Sequence, residues 1–117
     1  MDNVKLALTG EAIMALTKEG LIREKDLEKM SETLKAISHP IRLKIVNILM
    51  ESECSVGNLV NTLGTKQSLM SQQLSILKSR GVLKSRRNGN IVFYSLVNKG
   101  VRNIMESILK EIPLKTN

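Results

Sequence analysis

The chain has 117 residues, of which 42% are hydrophobic and 25% are charged. This length predicts one small domain and excludes a two-domain cofactor enzyme, and the apolar content excludes a wholly disordered chain. With one cysteine and one histidine, an intrachain disulfide is excluded and a four-ligand zinc site within one chain is not expected.

The apolar runs are too short to predict a membrane span. Near the N-terminus, Thr9, Gly10 and Glu11 interrupt the apolar stretch, and no small-residue cleavage site follows as it would in a secretory signal. We therefore expect a soluble, cytoplasmic protein.

The net charge of +7 is unevenly distributed along the chain. Residues 1–53 carry 8 Lys/Arg and 9 Asp/Glu, whereas residues 54–105 carry 8 Lys/Arg and no carboxylate. A polyanionic partner explains such a segment, because carboxylates repel phosphate and basic side chains release its counterions. The alternatives are a solvated basic face without a partner and a membrane surface, although Trp and a strongly basic amphipathic helix are both absent.

Apolar spacing and capping residues predict the elements in chain order. The predicted helices cover 4–19, 25–37, 40–50, 56–63, 67–79 and 98–112. Ser55 and Asn98 are predicted caps, Gly64 and Gly81 end the fourth and fifth helices, and Pro113 ends the last one. Between the last two helices, two short strands flank a turn that we predict at Asn88-Gly89.

We divide the chain into an N-terminal extension over 1–22, which we expect to be helical, a single DNA-binding and dimerisation domain over 23–112, and a C-terminal tail over 113–117. The extension stands apart because Gly10 weakens its helical pattern and Gly20 is expected to end it. No internal repeat or low-complexity tract suggests a further division.

Residues 56–79 form two predicted helices joined by a tight turn that contains Gly64. The second helix has Leu69, Met70, Leu74 and Leu77 to bury, and its other face is polar without any acid. A basic hairpin with Lys84, Arg86 and Arg87 follows. The combination predicts a mainly α fold with a small β-hairpin wing, a winged helix-turn-helix that places its second helix in the DNA major groove. A generic helical hairpin is the alternative for the turn taken alone.

The segments LKAISHPIRLKIVNIL, SVGNLVNTLGTKQSLMSQQLSILKSRGVL and RRNGNIVFYSL resemble the ArsR/SmtB family of dimeric winged-helix repressors. The resemblance covers roughly residues 27–112. It implies a homodimer that binds a palindromic operator in double-stranded DNA, with an inducer that relieves repression. It also implies a dimer interface built from residues 26–37 and 98–112, which residues 1–20 are expected to extend.

The resemblance also identifies the expected DNA contacts. On the recognition helix these are Gln67, Ser68, Ser71, Gln72 and Gln73, the last at a position where the family often has His. Arg86, Arg87 and Asn88 are the expected wing contacts, and Lys66 and Arg42 are weaker phosphate candidates.

The ligand sets of the family's sensors are missing from this chain. The Cys-Val-Cys motif of its metal sensors aligns with Ser55 and Gly57, and the last helix has no His and no Asp, so we expect no metal and no cofactor. The cysteine pair of the redox and persulfide branch, which the sequence otherwise resembles, aligns with Asn47 and Pro113. Cys54 remains, either as a partly buried structural residue or as a single reactive thiol that responds to an effector.

We expect no enzymatic activity, because the chain contains neither a nucleophile elbow nor a phosphate-binding glycine motif. The alternative functions are a basic dimeric module that binds RNA or an acidic protein, and an architectural protein that binds DNA without sequence preference. RNA is disfavoured because Phe93 and Tyr94 are adjacent on one strand, so at most one of them faces outward as a stacking platform.

Overall fold

The computed structural model describes residues 8–18 and 22–113. Its helices are α1 (Gly10–Lys18), α2 (Glu24–Ile37), α3 (Pro40–Glu51), α4 (Val56–Leu63), α5 (Gln67–Ser79) and α6 (Lys99–Leu109). Its strands are β1 (Cys54–Ser55), β2 (Leu83–Asn88) and β3 (Ile91–Leu96). The mainly α fold with a β-hairpin wing is therefore confirmed. None of the helices in the described ranges is long and apolar enough to cross a membrane.

The described residues divide into two compact units, with the boundary between Ser31 and Glu32 inside α2. The first unit contains α1, which begins at Gly10, where the Thr9 side chain caps it by accepting a hydrogen bond from the Ala12 backbone N–H. Residues 4–7 and 19 of the predicted helix lie outside the described residues, as does Gly20.

The hydrophobic core of the second unit is aliphatic, as the near absence of aromatic residues requires. It collects buried side chains from the end of α2, from α3 to α6, and from the sheet. Its fully enclosed members include Ile45, Val46, Leu59, Met70, Leu74, Leu77, Val82 and Val101. No polar residue is fully buried among the described residues, so burial of apolar surface is the main stabilising contribution.

A three-stranded antiparallel sheet has the order β1-β3-β2. The sequence did not predict β1, which pairs Cys54 with Tyr94 and Ser55 with Phe93. Because β1 lies between α3 and α4, its pairing attaches the β2–β3 hairpin to the helical part of the unit.

The last helix is shorter than the sequence predicted. α6 ends at Leu109, and the backbone N–H groups of Glu111 and Ile112 bond to carbonyls three residues back, at Ile108 and Leu109. That pattern is a tight turn rather than α-helix. These residues are exposed, so no burial compensates for extending the helix as far as Pro113.

Candidate nucleic-acid interface

A tight turn joins α4 to α5 and fixes the orientation of α5. The Ser55 hydroxyl accepts a hydrogen bond from Asn58 N–H at the start of α4, and Gly64 ends the helix with a φ of 64°. That left-handed conformation favours glycine. Both helices have the predicted bounds, and Met70, Leu74 and Leu77 are buried on one side of α5. The opposite side of α5 is thereby presented to solvent.

The solvent face of α5 is polar and contains no acid. Five of the predicted contacts are exposed on it or at its N-terminal end, namely Lys66, Gln67, Ser68, Ser71 and Gln72. Amide and hydroxyl groups hydrogen-bond to base edges, and all of these side chains can bond to phosphates. The prediction that Leu69 is buried is wrong, because it is 41% exposed beside this face.

Gln73 differs from the other predicted contacts on α5 because its side chain is hydrogen-bonded within the protein. It is half-buried, and its Oε1 accepts a 2.7 Å hydrogen bond from Arg42 Nε of α3. Arg42 also donates to the Ala36 carbonyl at 3.1 Å. Gln73 and Arg42 therefore join α5 to α3 and the end of α2, and their polar groups are engaged within the protein.

The wing turn lies one residue later than predicted. Asn88 is the last residue of β2 and pairs with Ile91 across the hairpin. The two turn residues are Gly89 and Asn90, and only Gly89 has a positive φ, of 63°. Glycine at the first central position is typical of a II′ turn, whereas the predicted Asn-Gly turn requires positive φ at both positions.

The register of the hairpin places its two arginines on opposite faces. Arg87 pairs with Val92, whereas Arg86 pairs with Phe93, and successive residues of a strand alternate between faces. Ser85 shares the face of Arg87, and its Oγ accepts a 2.8 Å hydrogen bond from Lys78 of α5. Arg87 therefore lies on the face that adjoins the recognition helix.

Arg86 makes a two-point ion pair on the other face. Its Nε donates to Oε2 of Glu53 at 2.8 Å, and its Nη2 donates to Oε1 at 2.7 Å. Its guanidinium carbon also lies 4.5 Å from the centre of the Phe93 ring. The hydrogen bond and the charge of Arg86 hold the pKa of Glu53 below its ordinary value, and the same hydrogen bond raises the pKa of Arg86.

The sequence did not identify the Glu53–Arg86–Phe93 cluster. The pairing of Arg86 with Phe93 could have been found, since a two-residue turn at Gly89-Asn90 fixes the hairpin register. The contribution of Glu53 could not have been found from the sequence, because its proximity to Arg86 depends on strand β1, which was not predicted. The cluster also places Phe93 beneath a guanidinium group, which removes it as a stacking platform for RNA bases.

Cys54 lies in β1 and pairs with Tyr94. It is a free thiol of intermediate exposure and packs against the core together with Tyr94. These contacts give Cys54 a structural role, and its role as a reactive effector site stays a prediction. Within the described ranges, no three His, Cys, Asp or Glu side chains lie close enough together to hold a metal ion.

An open groove of about 450 Å³ lies between the start of α4, the recognition helix and the wing. Gln67 and Ser71 line it from α5, and Asn90 lines it from the wing turn. The groove thus joins the two predicted DNA-contacting elements into one concave surface. None of the described residues that line it carries a carboxylate.

Apolar side chains are exposed on the two helices predicted to form a dimer interface. On α2, Leu27, Met30 and Leu34 are exposed along one side. On α6, Val101 and Met105 are buried, whereas Ile104 and Ile108 are exposed, Ile108 by 55%. Exposed apolar stripes of this kind are typical of surfaces that a partner covers.

Comparison with known proteins gives a consistent picture. The family profile "Bacterial regulatory protein, arsR family" matches residues 39–85. The biofilm growth-associated repressor of Xylella fastidiosa is 36% identical over 93 residues, which are 80% of this chain and 80% of that protein. The transcriptional activator HlyU of Vibrio cholerae is 36% identical over 83 residues, which are 71% of this chain and 77% of that protein.

Solved structures agree with these sequence relatives. HlyU from Vibrio cholerae has a TM-score of 0.71 at 34% identity, covering 75% of this chain and 96% of that chain. A domain of Mb0332 from Mycobacterium bovis, described as a homodimeric winged helix-turn-helix DNA-binding domain, has a TM-score of 0.68 at 22% identity. It covers 77% of this chain and 86% of that chain, and at this identity it shows the fold alone.

Proposed function

The chain belongs to the arsR family of bacterial regulatory proteins, and we propose that it is a homodimeric repressor that binds a palindromic operator in double-stranded DNA. The observation that carries the proposal is the acid-free exposed face of α5 beside a basic wing. Both lie within the 52 residues that contain no carboxylate. A solvated helix face ordinarily includes Glu or Asp, and their exclusion here is what contact with a polyanion requires.

In this proposal the two elements contribute different interactions. Ser68, Ser71 and Gln72 of α5 read base edges in the major groove, because hydroxyl and amide groups match their donors and acceptors. The phosphate backbone is contacted by residues at the N-terminal end of α5 and on the wing, namely Lys66, Gln67, Arg87 and Asn88. Phosphate contacts supply affinity and orientation, and base contacts supply specificity.

A homodimer is part of the proposal for two reasons. The exposed apolar residues of α2 and α6 need a partner surface, and a second copy offers a matching one by two-fold symmetry. Two recognition helices related by this symmetry read an inverted repeat, with half-sites about one helical turn apart. Relatives from Xylella, Agrobacterium and Mycobacterium tuberculosis are named as repressors, whereas HlyU is named as an activator. We propose repression on the names of the former.

The test is selection of bound duplexes from a random pool, followed by competition anisotropy on the enriched sequence. We expect an inverted repeat that binds at least about a thousandfold more tightly than a scrambled duplex at physiological salt. Enrichment of no common sequence would contradict specific regulation and favour an architectural DNA binder. Transcription in vitro from a promoter that overlaps the selected site then tests repression, since a rise in transcript would contradict it.

A further inference from the structure

We propose that Arg86 is a positioning residue that fixes the wing to the helix-turn-helix through Glu53 and Phe93, and that Arg87 is the wing's phosphate-binding cation. The inference rests on the proposed function, because it assigns different tasks to two adjacent arginines within that DNA interface. The two arginines carry the same charge, and their contacts distinguish them.

One edge of the Arg86 guanidinium group is already bound to a carboxylate. Two of its N–H donors bind the two carboxylate oxygens of Glu53 at 2.7 and 2.8 Å. The guanidinium carbon also lies over the Phe93 ring, 4.5 Å from its centroid. The other N–H donors stay exposed, but the Glu53 carboxylate beside them offsets the charge of Arg86 and repels a phosphate, so the net gain from a phosphate contact would be small.

The cluster ties the wing to the rest of the unit. Arg86 lies on β2 and Phe93 on β3, whereas Glu53 lies in the connection between α3 and β1. The register aligns Arg86, Phe93 and Ser55 in one row across the three strands. Glu53 precedes Ser55 by two residues and therefore shares its face in an extended chain. Since β1 has only two residues, the ion pair strengthens a short attachment.

Arg87 has the opposite surroundings. It is exposed, and it shares the face of Ser85, which is bonded to Lys78 of the recognition helix. Among the described residues, Arg87 has no ion-pair or hydrogen-bond partner for its side chain. Its charge is thus available on the side of the hairpin that adjoins α5.

Lysine substitutions distinguish the two tasks. Lysine keeps the positive charge but lacks the planar fork that binds both oxygens of a carboxylate and stacks on a ring. A phosphate contact depends mainly on the charge, whereas the Glu53–Phe93 cluster depends on the fork. Arg87→Lys should therefore keep the DNA-binding affinity that Arg87→Gln loses. Arg86→Lys should weaken DNA binding as much as Arg86→Gln does.

The experiment measures binding of the full chain to the selected operator and to a mixed-sequence duplex at several salt concentrations. For Arg87→Gln we expect the slope of log K against log salt to flatten by about 0.9 for each lost phosphate contact. Arg86→Gln and Arg86→Lys should leave the slope unchanged and weaken operator binding several-fold. Arg23→Gln, at an exposed position before α2, controls for the loss of one charge outside the proposed DNA contacts.

The Glu53→Gln variant is a second test, because the two possible roles of Arg86 predict opposite changes in its operator affinity. If Arg86 is a positioning residue, Glu53→Gln weakens operator binding as Arg86→Lys does, and the double variant is no worse than either single one. If Arg86 is instead a phosphate contact masked by Glu53, the Glu53→Gln variant binds more tightly and steepens the salt slope. That result would overturn the proposal, as would a flattened slope in Arg86→Gln that Arg86→Lys restores.

Hydrogen exchange of the free protein tests the positioning role without DNA. Arg86→Lys and Glu53→Gln should speed amide exchange in β2 and β3 relative to α5, whereas Arg87→Gln should not. Unchanged exchange in all three variants would overturn the positioning role even if DNA binding changed. A wild-type chain that bound no duplex selectively would contradict the proposed function, but this exchange measurement would still decide the role of Arg86.

Discussion

Helices α5 and α6 are both amphipathic, yet their exposed faces differ in kind. The exposed face of α5 has amides, hydroxyls and a lysine, and no acid. The exposed face of α6 includes Ile104 and Ile108. Uncharged polar groups with nearby cations complement a polyanion, whereas apolar side chains complement another apolar surface. The type of residue left exposed, rather than the amount of exposed surface, distinguishes a DNA-facing helix from a subunit-facing one.

The largest effect should come from a charge placed on the α6 face. Ile108→Glu should separate the homodimer, because a carboxylate in an apolar interface loses its hydration without gaining a partner. Since two linked half-sites bind far more tightly than one, operator affinity should fall by about a hundredfold or more. Sedimentation and anisotropy measure the two effects.

Asn103→Glu is the matched control for that change. It adds the same charge to an exposed position of the same helix, and it should remain dimeric and retain operator binding. If Ile108→Glu stayed dimeric with wild-type affinity, the assignment of α6 to the dimer interface would be wrong.

A smaller effect is expected on the α5 face. Gln72→Ala should cost about 1–3 kcal/mol of binding free energy at one operator position, because a bidentate amide contact to a base is lost. Anisotropy with single-base operator variants locates that position. Gln73→Ala is the matched control, since Gln73 is bonded to Arg42 and should leave base preference unchanged. Equal weakening by Gln72→Ala on operator and mixed-sequence DNA would refute base reading.

The smallest effect is the pH dependence of the Glu53–Arg86 pair, which is solvent-exposed and therefore contributes little to stability. The folded chain lowers the pKa of Glu53, through its hydrogen bond to Arg86 first and the arginine charge second. The stabilisation is therefore present above the ordinary glutamate pKa of about 4.3 and is lost as the pH falls through the lowered value.

Thermal unfolding of wild type and Glu53→Gln between pH 7 and pH 3 measures this contribution. The wild type should have the higher Tm at neutral pH, and the difference should shrink towards the acid end. A Tm difference that stayed constant across the whole range would show that the Glu53 carboxylate does not contribute in its charged form.

Much of the helix-turn-helix was predictable because its signals are local. Ser55 caps α4 and Gly64 ends it, and each acts within one helical turn of its own position. The bounds of α4 and α5 consequently agree with the prediction. The wing turn was misplaced by one residue, because Asn88-Gly89 and Gly89-Asn90 are both favourable turn sequences and the register that decides between them depends on strand pairing.

The remaining features depend on contacts between distant parts of the chain. Arg42 binds Gln73 across 31 positions of sequence, and Glu53 binds Arg86 across 33 positions. Strand β1 has two residues, too few for any period-2 pattern to indicate it. The exposure of Leu69 likewise depends on where α5 packs, since its apolar character alone predicted burial.

The most direct test of the central claim is a hydroxyl-radical footprint of the wild-type chain on its selected operator. Two copies of α5 and the wing should protect two patches on one side of the duplex, with centres about 10 base pairs apart. Ser68, Ser71 and Gln72 would then face the protected major grooves. A single protected patch, or uniform protection along the duplex, would contradict a dimer that reads a palindrome with the α5 face.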